Sequence, residues 1–95
     1  MTVTRHKVAQ EIIGYLYHRI TLAQLVDWAE RVMMEGEFEE QNFETLRYVV
    51  SRLGLADVRA FGMTLEDCED FLSRLGYQMI VTVSEAQVSN LPVLG

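Results

Sequence analysis

The sequence predicts a mostly α fold: a compact bundle of four helices plus a short extra turn, with one C-terminal β-strand over about 77–83. Three observations carry this expectation. Apolar residues recur at three- and four-residue spacing through four separate segments, the period of one helix face. The only proline is Pro92, so nothing over 1–83 bars a helix on proline grounds. After Gly76 the apolar spacing shortens to about two residues, the period of a strand. A chain of 95 residues, 49% hydrophobic and 23% charged, fits one globular domain and excludes a wholly disordered or low-complexity polymer. The expected domain is 1–84, with 85–95 a mobile tail.

Helix one is predicted over about 5–18, with Val8, Ile12, Tyr15 and Leu16 on one face. Gly14 lies inside it, at a cost of roughly 1 kcal/mol against alanine. Helix two starts at Thr21, a natural N-cap, and Gln24 completes a capping box. Leu22, Leu25, Val26, Ala29, Val32 and Met33 form its stripe, and Gly36 ends it. The link around Arg19–Thr21 is short enough to make helices one and two antiparallel neighbours.

Helix three is predicted over about 41–53, with Phe43, Leu46, Val50 and Leu53 inward and Val49 beside them. Gly54 then reads as a left-handed cap, followed by the apolar Leu55. Residues 55–61 form the short extra turn, ending at Gly62. Helix four starts at Thr64, with Asp67 reaching back to it. Its stripe is Leu65, Cys68, Phe71, Leu72 and Leu75, and Gly76–Tyr77 repeats the ending of helix three. Indeed FETLRYVVSRLGL (43–55) aligns without gaps on LEDCEDFLSRLGY (65–77), sharing Ser-Arg-Leu-Gly. Two copies are fewer than a solenoid needs, so the likeness reads as shared stop chemistry. The expected core is Leu16, Leu25, Val26, Ala29, Val32, Leu46, Val50, Leu53, Phe71, Leu72 and Leu75.

In the predicted strand Tyr77, Met79, Val81 and Val83 point one way, and Gln78, Ile80 and Thr82 the other. A lone strand leaves backbone groups unpaired. Three mates remain open: Thr2–Thr4, Val88–Leu94, or a second copy of the chain. The third would make Met79, Ile80, Val81 and Val83 a homodimer contact.

Eight basic against 14 acidic residues give a formal charge of −6. Such a surface repels a phosphate backbone and favours solubility or a basic partner. The first 20 residues carry Arg5, Lys7 and Arg19 against Glu11, whereas the rest carry five arginines against 13 acids. A single cysteine forms no internal disulfide, and MTVTRHKVAQ has no apolar signal core, so a cytoplasmic protein is expected. No apolar run approaches the ~18 residues that span a bilayer.

No phosphate loop, His-Glu-x-x-His, Cys-x-x-Cys or nucleophile elbow is present, so neither catalytic residues nor cofactors are expected. Cys68 sits in an apolar stripe among Glu66, Asp67, Glu69 and Asp70, which suits a packed, unreactive thiol. His6 and His18 are about 3.3 turns apart on one helix and do not share a metal-binding face. Acids 66–70 suit the first turn of helix four. Residues 35–44, EGEFEEQNFE, are less simply explained. They read as a loop into helix three, either a solvated surface or a recognition surface for a basic protein. The candidate contact residues are Met34, Glu35, Glu37, Phe38, Glu39, Glu40 and Glu44. Trp28 and Met33 read first as core and second as part of an interface beside that loop.

The segment YLYHRITLAQLVDWAE (15–30), through Tyr15, Leu16, Ile20, Leu25, Trp28 and Ala29, resembles small bacterial proteins, some of them immunity or antidote proteins that neutralise a toxin. The resemblance covers about one sixth of the chain and carries over no inhibitory residue. It implies a small, acidic, non-catalytic binding module. The alternative expectation is a structural homodimer assembled through the C-terminal strand.

Overall fold

Threonine hydroxyls start three of the four α-helices among the described residues. The computed structural model describes residues 2–58, 62–80 and 83. A two-residue strand β1 (Thr2–Val3) leads into α1 (Arg5–Leu16), where Thr4 Oγ1 accepts from the Lys7 amide at 3.1 Å. Helix α2 (Leu22–Glu35) opens with the expected capping box. Thr21 Oγ1 accepts from the Gln24 amide at 3.1 Å, and Gln24 Oε1 accepts from the Thr21 amide at 2.8 Å. Strand β2 (Glu37–Phe38) and a 3-10 turn (Glu40–Asn42) precede α3 (Phe43–Leu53). Helix α4 (Leu65–Arg74) opens with the second capping box, Thr64 with Asp67, through bonds of 2.9 and 3.0 Å.

The helices stop in different ways. At the end of α1 the His18 amide donates to Tyr15 O and the Arg19 amide to Gly14 O, at 3.1 and 2.8 Å. This is a Schellman ending with His18, not glycine, in the left-handed position at φ 61°. Helix one therefore ends at Leu16, two residues before the expected boundary. Helix α4 ends in the same motif, with Gly76 at φ 89°, Gly76 N to Ser73 O at 3.0 Å and Tyr77 N to Leu72 O at 2.8 Å. Gly54 does not share it. Its φ of −66° is right-handed, and the chain turns on through Leu55 N to Arg52 O and Ala56 N to Leu53 O. The reason is burial: the continued turn places Ala56 inside. Of the short turn expected over 55–61, residues 55–58 continue in turns and 59–61 lie outside the described residues.

The core joins all four helices through Val8, Ile12, Leu25, Ala29, Val32, Leu46, Val49, Val50, Leu53, Cys68, Phe71, Leu72 and Leu75. Val26 is buried too, while Leu16, also expected inside, is half-buried. Val3 completes the core from β1. The two strands pair in parallel, Thr2 with Glu37 and Val3 with Phe38, and the Glu39 amide donates to Val3 O at 3.1 Å. The N-terminal segment thus pairs with the acidic bend. Residues 77–80 and 83 of the expected C-terminal strand join no sheet among the described residues, while 81 and 82, like the tail 85–95, lie outside them. The turn after α4 is held instead by α1: Arg5 Nη1 donates to Leu75 O at 3.4 Å, and His6 Nδ1 meets the Tyr77 hydroxyl at 3.2 Å.

Gly36 makes the sharp passage from α2 to β2 sterically possible. A Cβ there would stand 2.8 Å from Val32 O and 3.1 Å from Val3 Cγ2. Its φ of −83° is open to any residue, so the requirement is closeness rather than backbone conformation.

Candidate functional site

Residues 35–44 are not an open loop. Strand β2, the 3-10 turn and the first turn of α3 give them a fixed shape, and that shape divides the candidate residues. Phe38 is half-buried, packed on the core and edge-on to Phe43 at 6.0 Å between ring centroids. Glu39 is half-buried as well. Its Oε1 accepts from the Arg5 amide at 3.0 Å and from Asn42 Nδ2 at 2.9 Å. The bond from the first amide of α1, with that from Asn42, holds the Glu39 carboxyl below the usual carboxylate range. Phe38 and Glu39 therefore hold the bend in place. Glu35, Glu37, Glu40 and Glu44 are exposed, and Met34 is 86% exposed. Among the described residues none of these four acids forms an ion pair.

Beside the acids lies a groove between the end of α2 and the length of α3. It consists of two depressions, of about 410 and 470 Å³, that share Met33 and Ser51. Phe43, Glu44, Arg47 and Tyr48 line one; Glu30, Met34, Gly54 and Leu55 line the other. Tyr48 is held as a wall by the Arg74 guanidinium, 4.7 Å from its ring, and by the edge of Phe71. Met33 and Phe43, expected on inner faces, are 40% and 45% exposed. Helix α2 presents Leu25, Ala29 and Val32 inward, and the same turn cannot also bury both Met33 and Met34. That doublet at a helix end was the available sequence signal for the groove. Leu55, Tyr48 and Glu30 had no comparable signal.

A second apolar groove, of about 510 Å³, runs between α1 and α4 and is lined by Ile13, Leu16, Leu65, Leu72, Tyr77, Met79 and Ile80 among others. Met79 is half-buried against the core, whereas Ile80 and Val83 are exposed; Val81 lies outside the described residues.

Cys68 is buried in the core, on the inner face of α4. Burial first, and the Asp67 carboxylate second, push its thiol up to about 11, so it is protonated at neutral pH and a poor nucleophile. Asp67 lies below the usual range because the Thr64 amide and hydroxyl bond it. Among the described residues no three His, Cys, Asp or Glu side chains group to hold a metal ion. No described helix is long and apolar enough to cross a membrane. No family model matches the chain, and neither a curated protein nor a solved structure matches it.

Proposed function

We propose that the chain is a non-catalytic protein-binding module, and that its acidic, methionine-bearing face engages a basic partner as an immunity-type antidote engages its toxin. The observation that carries this is one of adjacency: exposed Met33, Met34 and Phe43 stand beside Glu35, Glu37, Glu40 and Glu44, none of which forms an ion pair among the described residues. Apolar side chains rimmed by one sign of charge are the make-up of an interface core and its steering rim. The buried, single thiol suits a reducing cytoplasm.

The test is affinity capture from the native cell with the wild-type chain and with Glu35→Lys/Glu37→Lys/Glu40→Lys/Glu44→Lys. The expected result is a basic protein retained by the first, lost by the second, and released as salt rises. Retention indifferent to both the substitutions and salt overturns the proposal. A second reading, a homodimer through Met79, Ile80, Val81 and Val83, is favoured by the exposure of Val83 and of Ile80, which lines the α1–α4 groove. Light scattering of the wild type against Ile80→Pro tests it, and a monomeric wild type removes it.

A further inference from the structure

The geometry points to a basic amphipathic helix as the element that the partner lays in the α2–α3 groove; this rests on the binding-module reading and specifies its occupant. The groove follows α3 from Phe43 to Gly54, roughly 16 Å at 1.5 Å per residue, which matches about three turns of a helix laid alongside. Its walls are helices, whose backbone groups are already bonded along their own axes. An extended peptide would find no sheet edge there and would leave its own amides and carbonyls without partners. A helix arrives with its backbone satisfied and offers side chains alone.

The floor suits such side chains. Met33 reaches both depressions and Met34 stands free at one of them, and unbranched thioethers adapt to the shape of an apolar knob. Tyr48, with the Arg74 guanidinium 4.7 Å from its ring, supplies an aromatic wall. Charge sets the polarity of the occupant. Glu30 lines the Leu55 end, Glu44 and Arg47 line the Phe43 end, and Glu35 closes α2 where the chain turns toward Phe43. Lysines or arginines of the guest therefore belong beside Glu30 and over the exposed Glu35, Glu37, Glu40 and Glu44 rim, flanking an apolar stripe at i, i+3, i+4 and i+7.

The experiment titrates the full chain against two fluorescent synthetic peptides of identical leucine and lysine composition. In one, leucines form a single helical face; in the other they are scattered. Binding is read by anisotropy, and the site by amide chemical shifts. The first peptide is expected to bind more tightly and to move the amides of α2 and α3. Met33→Ser/Met34→Ser, at one partly exposed and one freely exposed position outside the buried core, should weaken it about tenfold. Glu30→Lys should weaken it and flatten its salt dependence. Equal binding of both peptides, lowered by charge reversal but not by the methionine pair, overturns the helical occupant while leaving a charge-reading module. Shifts confined to the α1–α4 groove, or no saturable binding of either peptide, also overturn it; the module reading is then decided separately by the capture experiment.

Discussion

Replacing Gly36 by alanine adds one methyl group at the point where α2 meets the β1–β2 pair. The added carbon would lie 2.8 Å from Val32 O, and 3.1 Å from both Val3 Cγ2 and Val32 Cγ1. The backbone oxygen cannot turn away, because it accepts the Gly36 amide at 2.8 Å. Forcing a methylene-sized group into packed surroundings costs about 1–3 kcal/mol. Loss of glycine freedom in the unfolded chain offsets about 0.4–1 kcal/mol of that. The net expectation for Gly36→Ala is a destabilisation of about 1–2 kcal/mol. Gly14→Ala is the matched control. Its Cβ would meet Ile20 Cγ1 at 3.7 Å, an ordinary contact, inside α1 where alanine is favoured by roughly 1 kcal/mol. Urea unfolding of the three proteins should thus give opposite signs for one chemical change. In thermal melts, Gly36→Ala should fall by roughly 5–15 °C while Gly14→Ala rises by several degrees. A Gly36→Ala protein as stable as wild type would show that the chain does not pass so close to Val32 and Val3.

His18 occupies a left-handed conformation that costs an L-residue about 1–2 kcal/mol, so His18→Gly should raise stability by about 0.5–1 kcal/mol; a lower denaturation midpoint would contradict the Schellman ending of α1. Glu39 has a depressed pKa when folded, so its contribution is present above the usual carboxylate range and is lost as pH falls through the folded value. Glu39→Gln should accordingly be less stable than wild type at pH 7, with the two denaturation curves converging in acid as the pH falls beneath the usual carboxylate range; a gap independent of pH would assign the loss to shape rather than charge. Asp67→Asn should behave in the same sense through the Thr64 cap. Cys68 should resist a thiol reagent at pH 8 in the native protein and react at the ordinary rate in urea; native labelling as fast as that of a free thiol would refute its burial.

Where local chemistry decides structure, the residues were readable. Thr21 with Gln24 and Thr64 with Asp67 are self-contained capping devices, and both form. The inner stripes of α2, α3 and α4 likewise follow from period alone, because Leu25, Leu46 and Leu72 have no other apolar face to join. Contacts between distant segments were not readable. Nothing near Glu39 announces that its carboxylate receives the amide of Arg5, 34 residues away. The tetrapeptide Ser-Arg-Leu-Gly marks the same limit: it closes α4 left-handed at Gly76 yet runs right-handed through Gly54. What differs lies downstream, where Ala56 enters the core and Tyr77 turns back under Arg5 and His6. For the candidate site, the acids were legible as a cluster, but their sorting into support and surface was not. The groove beside them depends on which side of a helix end two adjacent methionines occupy.

The clasp between Thr2–Val3 and Glu37–Phe38 is only two residues long, and it closes a span that includes the whole of α1 and α2. So small a seam, with Val3 its one fully sequestered side chain, is of the sort that opens ahead of the helical interior. Contour at the carboxylate corner would then come and go on a faster clock than global unfolding. A visitor that needs the corner formed would tighten the seam by mass action, and the start of the chain would register its arrival.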